Sequence, residues 1–320
     1  MRIEEIFEHC RRHGRRPLLI AAGNSAVVAV PGMEGRLFYG RGGEAVSLFR
    51  PEAAEKITTS ATGYFNPGGD GLWPAPEGTC LGYEYASGAW RVPPGLTGAQ
   101  YEVAVLAADR FTITAEIDLV NNRQRGIPCR FTRSAQVRED SGGTTVIDQR
   151  DTIEYIGKDV LHAGEFLLAP WSLSQFAVDD RSRARFCDPG IPVRDLYEPS
   201  AELLARADGA VALRRDPERR IQLALPEACK FVELRLFDRK LAIRRTAAPL
   251  APGLRPIDIA DASPDAPPGA PVRYSIYSDP SGFMELEVAG GCPEELVPGA
   301  VLGMEVSNTI SNMEDAGYEV

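Results

Sequence analysis

The feature that most limits what this chain can become is a period of two. In YEVAVLAADRFTITAEIDLVNN, residues Phe111, Ile113, Ala115, Ile117 and Leu119 are apolar and their neighbours are polar. Successive side chains of a strand point to opposite faces, so such a segment buries one face and wets the other, as antiparallel strands do. The same alternation, or a short apolar run, returns in AVVAVP, GRLFYG, IPCRFTRSAQVRED, GTTVIDQRDTIEYIG, EFLLAPWSLSQFAV, KFVELRLFD, PVRYSIYSD and GFMELEVAG. Glycine or proline turns separate them. Roughly 15 to 18 short strands exceed one small sandwich. They predict an all-β chain of two broad antiparallel sheets packed face to face. No repeat of fixed period points to a propeller or a solenoid.

Helical spacing is confined to two places. Ile3, Ile6, Phe7 and Cys10 predict an amphipathic helix over 3–12, and its basic end, RRHGRR, reads as a solvated helix C-terminus. PSAELLARADG predicts a second helix over 199–209, capped by Ser200 and ended by Gly209. The proline- and alanine-rich stretch 246–271 reads as a surface excursion. The expectation is therefore one domain over 1–320, with 1–16 as an N-terminal helical extension.

Charge and motifs exclude several classes. A formal net charge of −10 over 320 residues argues against a nucleic-acid partner. Six cysteines stand singly, with no CxxC pair, which suits a reduced, cytoplasmic setting. The N-terminus does not read as a secretory signal, and no apolar run is long enough to span a membrane. No HExxH, P-loop or dinucleotide fingerprint exists, and no visible ligand set requires a metal, so neither a cofactor nor a metal is expected. Oligomeric state leaves no mark on the sequence.

The segment GGDGLWPAPEG, 68–78, is unusual. Its prolines forbid a helix, and its glycines mark unusual backbone angles or a close approach. It predicts a rigid loop that presents Asp70, Trp73 and Glu77.

Five segments, in order, resemble the galactose-mutarotase-like, or aldose 1-epimerase-like, superfamily. They are GMEGRLFYGRGGEAVSLFRPE (32–52), GGDGLWPAPEG, GIPCRFTRSAQV (126–137), LLAPWSLSQFAV (167–178), and GFMELEVAG with LVPGAVLGMEV (282–306). The likeness is closest to a branch whose members carry a GGxxLWPAPE-type loop. It implies a β-supersandwich with a sugar-binding groove on one concave face. It also implies a glutamate base, in the strand that corresponds here to MELEV, and a histidine acid. Alternation puts Met284, Leu286 and Val288 on one face of that strand, with Glu285 and Glu287 on the other, about 7 Å apart. Carboxylates so placed raise each other's pKa when desolvated, which suits a general base. Glu287 is the preferred candidate. The family's histidine segment is replaced here by APWSLSQF, which leaves His162 as the candidate acid; His9 and His13 fall in the N-terminal helix.

A sugar offers an apolar C–H face and a belt of hydroxyls, which aromatic rings, carboxylates and arginines recognise. Trp73 with Asp70 and Glu77 supplies that set. Trp171, Trp90, Arg36 and Arg133 are further candidates. Two functions follow for a small-molecule carbohydrate ligand: an isomerase of the aldose 1-epimerase type, or a non-catalytic carbohydrate-binding or sensing protein. Glycan cleavage lacks a convincing acid–nucleophile pair.

Overall fold

Alternation along the strands is realised as two ten-stranded antiparallel sheets stacked face to face. The computed structural model describes residues 1–313 other than 60, 84–85, 88–89, 189, 191–192 and 208, and the backbone alone at 86–87, 90–91 and 94. The side chain of Trp90 therefore lies outside the described residues.

From edge to edge the first sheet runs Leu18–Ala22, Ser25–Val30, Arg36–Arg41, Asp70–Ala75, Ala169–Ala177, Phe283–Ala289, Tyr274–Asp279, Ile221–Leu225 and Arg194–Asp195, with Glu44–Ala45 beside Arg36–Arg41. The second runs Leu204–Ala207, Ala210–Arg214, Arg183–Cys187, Val232–Leu236, Leu241–Ala247, Val301–Asn312, Thr145–Tyr155, Gly126–Glu139, Arg110–Val120 and Glu102–Leu106. A short hairpin, Ala86–Ser87 with Trp90–Arg91, stands apart.

The two sheets differ in what covers them. In Arg110–Val120 of the second sheet, Phe111, Ile113, Ile117 and Leu119 are buried against the first sheet, while Glu116 and Asp118 face water. In the first sheet, Tyr274–Asp279 and Phe283–Ala289 are buried at every position. Its outer face is covered as well. At one end the cover is helix α1 (Ile3–Arg12) and helix α2 (Pro51–Glu55), whose Ile3, Ile6, Cys10, Ala53 and Ala54 pack on Val28, Val30 and Phe38. Full burial of Ile3 and of Ile6 contributes roughly 1.5–3 kcal/mol each.

Two elements differ from the sequence expectation. Residues 199–209 form only a 3-10 turn, Ala201–Leu203, before Leu204–Ala207 pairs with Ala210–Arg214. Ser200 Oγ donates to Asp195 Oδ1 at 2.6 Å instead of capping a helix. Pairing at the sheet edge overrides a modest helical propensity. Likewise, 68–78 is not wholly a loop. Asp70–Ala75 is an interior strand, with Pro74 directly opposite Pro170, so the two missing donors fall at one rung. Beyond it the chain presses onto the 248–271 excursion, where Gly78 N donates to Ala260 O at 3.0 Å. A Cβ at Gly78 would lie 2.3 Å from the Ala262 backbone, which is why glycine stands there.

Between the sheets sits a polar knot. Asp70, Arg133, Asp151 and Arg245 are fully buried. Arg133 donates to both Asp151 oxygens, at 2.9 and 3.0 Å, and to Asp70 Oδ1. Arg245 Nη2 lies 2.9 Å from Asp70 Oδ2, which also accepts from Ser172 Oγ at 2.9 Å. Two cations meet two anions, so each desolvated charge has a partner. Burial pushes the Asp70 carboxyl up, but Arg245 and Arg133 outweigh it and hold it below the ordinary value.

Candidate active site

On the outer face of the first sheet, beyond α1 and α2, strand alternation raises a set of polar side chains into a groove. Phe283–Ala289 contributes Glu285 and Glu287 while Met284, Leu286 and Val288 point into the core. The neighbouring strand Ala169–Ala177 contributes Trp171 and Gln175, which sit beside the glutamates because Leu173 pairs with Glu287 and Gln175 with Glu285. Trp73 projects from Asp70–Ala75, opposite Trp171 in register. The two indoles meet edge to face, with centroids 6.5 Å apart. Gln222 and Tyr277 come from the strands on the other side. At the rim the Arg220 guanidinium stacks on Tyr197 at 3.7 Å and donates to the Tyr277 hydroxyl at 2.9 Å. The groove holds about 530 Å³ of unfilled space counted to its open mouth, of which about 60 Å³ admits the centre of a water molecule.

The glutamates are its chemical centre. Glu285 is 7% exposed and Glu287 is 1% exposed, although both face outward from the sheet. They stand two positions apart on one face of the strand, close enough for the charge of one to act on the acidity of the other. Gln175 Nε2 donates to Glu285 Oε1. Trp171 Nε1 donates to Glu287 Oε2 at 3.1 Å, and Gln222 Nε2 lies 3.2 Å from each Glu287 oxygen. Burial raises the Glu285 carboxyl to about 7, against the Gln175 hydrogen bond and the Arg36 charge. Burial and then the Glu285 charge push Glu287 well above the carboxylate range. At neutral pH the arrangement is a carboxylic acid beside a carboxyl poised to ionise.

Among the described residues that line the groove, Trp73 Nε1, Gln175 Oε1 and Gln222 Oε1 are buried without a hydrogen-bond partner within the protein. Unmet buried polar atoms are destabilising. A ligand that fills the groove can answer them with one acceptor and two donors. Arg36, by contrast, is already engaged, donating to Glu34 Oε2 at 2.9 Å and to the Tyr64 hydroxyl at 2.7 Å.

Of the residues singled out in the sequence, the structure brings Arg36, Trp73, Glu77, Trp171, Glu285 and Glu287 to one groove. Asp70 and Arg133 are elsewhere, in the knot between the sheets, because Asp70 and Trp73 are an odd number of positions apart on one strand. His162 is on the surface, its side chain 62% exposed and its Nδ1 3.0 Å from Glu295 Oε1. Among the described residues no histidine lines the groove. Gln175, Gln222, Tyr64, Tyr197 and Tyr277 do not stand out in the sequence. For Gln222 a signal exists: it is a polar residue between Ile221 and Leu223 on a strand buried at every position.

Comparison with known proteins agrees with this architecture. No family model matches the chain, and no curated protein matches it. Solved structures do. A protein of Escherichia coli K12 described as a candidate aldose 1-epimerase superposes with a TM-score of 0.59 at 11% identity, covering 93% of this chain and 99% of its own. A galactose mutarotase-like protein from Lactobacillus casei gives 0.56 at 12% identity, covering 92% and 100%. A galactose mutarotase related enzyme from Lactobacillus acidophilus gives 0.54 at 10%, covering 95% and 100%. The chain has the galactose mutarotase-like fold: two large antiparallel sheets with a short N-terminal helix. Among the described residues no helix is long and apolar enough to cross a membrane.

Proposed function

We propose that the chain binds a neutral aldose in this groove and interconverts its anomers, with Glu285 as base and with Glu287, the base preferred from the sequence, as acid in place of His162, since burial and the Glu285 charge keep the Glu287 proton on. One observation carries the reading: two neighbouring buried carboxyls of unequal acidity face a tryptophan-walled cleft. Ring opening removes the proton from the anomeric hydroxyl and delivers one to the ring oxygen. Ionised Glu285 takes the first as the C1–O1 double bond forms and the C1–O5 bond breaks. Protonated Glu287 supplies the second to O5. Rotation about C1–C2 presents the other carbonyl face, and closure runs with roles exchanged: Glu287 takes the O5 proton back while Glu285 protonates O1. Both groups return to their starting states.

The surroundings favour an uncharged ligand. Glu77 and Glu285 make the groove acidic, and the two arginines described at it are engaged, Arg36 with Glu34 and Arg220 with Tyr277 and Asp261, which disfavours a phosphate or a uronate. Hydroxyls, which both donate and accept, answer Trp73 Nε1 and the two glutamine carbonyls. The enclosed part of the groove is small, about 60 Å³, so on this reading much of the sugar lies in the open mouth. We read residues 1–320 as one functional unit, and its six free cysteines suit the cytoplasm.

Polarimetry on freshly dissolved α-anomers tests the assignment. A rate above buffer is expected, rising as Glu285 ionises through about pH 7 and falling once Glu287 loses its proton. Abolition is expected in Glu285→Gln and Glu287→Gln. No rate for any aldose, or an unchanged rate in both variants, removes the catalytic reading. The groove without a histidine favours a second reading, a non-catalytic sugar-binding or sensing protein. In that case sugars quench tryptophan fluorescence without any accelerated anomerisation.

A further inference from the structure

Outside the groove, α1 and α2 bring three metal-binding side chains together. His9 and His13 lie one turn apart on α1, with ring centroids 4.7 Å apart, and Glu55 ends α2. One ligand atom from each lies within 4.8 Å of the other two. The geometry points to a binding site for one borderline divalent transition ion of the zinc, cobalt or nickel kind, clipping α1 to α2.

His9 carries the argument. Its Nε2 is buried, forms no hydrogen bond, and faces Glu55 Oε1 at 3.4 Å. That contact has ion-pair spacing without a hydrogen bond. It matches the separation of about 3.3 Å between two ligands bonded at about 2.0–2.1 Å to one tetrahedral ion. The His9 ring is held in place by the edge of Phe49, at 5.6 Å and 78°. His13, exposed at the end of α1, needs only side-chain rotation to complete the set.

The backbones that carry these ligands are already fixed to each other. Arg15 donates to the carbonyls of Ala53, Ala54 and Lys56, at the end of α2. The buried faces of both helices share one apolar cluster. Nearby cations are otherwise engaged: Arg11 pairs with Glu8 at 2.8 Å, and Lys56 sits over Phe65 at 5.0 Å. Two imidazoles and one carboxylate select zinc-like ions over calcium or magnesium, which prefer oxygen ligands throughout.

The test uses the full, tag-free chain, stripped with a chelator and titrated with Zn²⁺, Ni²⁺ or Co²⁺. Expected are one ion per chain, a tetrahedral visible spectrum with Co²⁺, and no displacement by excess Mg²⁺ or Ca²⁺. His13→Ala and Glu55→Ala alter exposed side chains, so both should fold, and each is expected to weaken binding at least tenfold. Glu287→Gln is expected to bind the ion normally, which separates this site from the sugar groove. Absence of stoichiometric binding overturns the site, as does binding that survives both His13→Ala and Glu55→Ala.

Discussion

Glu285→Gln is expected to make the protein inactive and, above neutral pH, more stable. The folded structure raises the Glu285 carboxyl from its ordinary 4.5 to about 7, chiefly by burial. Below about pH 4.5 the folded and unfolded chains both hold the proton, and this group contributes nothing to pH dependence. Between about 4.5 and about 7 the unfolded chain releases it while the folded chain keeps it, so stability falls as pH rises. Above about 7 the loss is complete, and it amounts to about 3 kcal/mol. Glutamine has no proton to release, and its carbonyl still accepts from Gln175 Nε2. The variant should therefore match the wild type near pH 4 and exceed it by about 3 kcal/mol near pH 8. Removing the Glu285 charge also removes the second-largest cause of the raised Glu287 carboxyl, which adds to the gain in the same direction. Denaturant midpoints for both proteins at several pH values measure the difference directly. If the gap between them is flat across this range, or if the wild type gains on the variant as pH rises, Glu285 is not a desolvated carboxyl and the proton-transfer argument fails with it.

Trp73→Ala is expected to abolish sugar-dependent fluorescence quenching and, by opening the cover, to lower the Glu285 carboxyl toward its ordinary range; retained quenching would move the sugar away from this wall. Arg133→Met leaves Asp70 and Asp151 buried without their shared cation and should cost about 3–5 kcal/mol, read from the denaturant midpoint. A shift below about 1 kcal/mol would show that the knot is hydrated or protonated. His162→Ala should change neither the anomerisation rate nor stability by more than about 0.5 kcal/mol, since its side chain is mostly in water. Gly71→Ala places a Cβ 2.6 Å from Arg36 Nη1 and should weaken sugar binding by displacing that side chain; unchanged affinity would exclude Arg36 from the site.

How much of this is legible in the sequence depends on how far the period of two is carried. It predicts the sheets, and in MELEV it separates Glu285 and Glu287 from Met284, Leu286 and Val288. The same rule applied to GIPCRFTRSAQV places Arg133 with Phe131 and Ala135, on the inward face, from the spacing alone. In GGDGLWPAPEG two prolines speak for a loop and mask the rule. A loop allows Asp70 and Trp73 to act together, whereas a strand sends them to opposite faces. The hairpin from Leu204 to Arg214 is hidden for another reason: alanine- and leucine-rich edge strands carry helical propensity, and only the neighbour across the sheet decides. The burial of Glu285 and Glu287 is not legible at all. Alternation shows only that they leave the core, and on a sheet with one wet face they would be ordinary surface carboxylates. What desolvates them is a second cover over the outer face, assembled from Trp73, Trp171, Tyr197 and Tyr277, which lie far apart in the chain. Their acidity is thus a property of the whole first sheet, and any substitution that lets water under that cover should lower both carboxyls toward the ordinary range even with every glutamate contact intact.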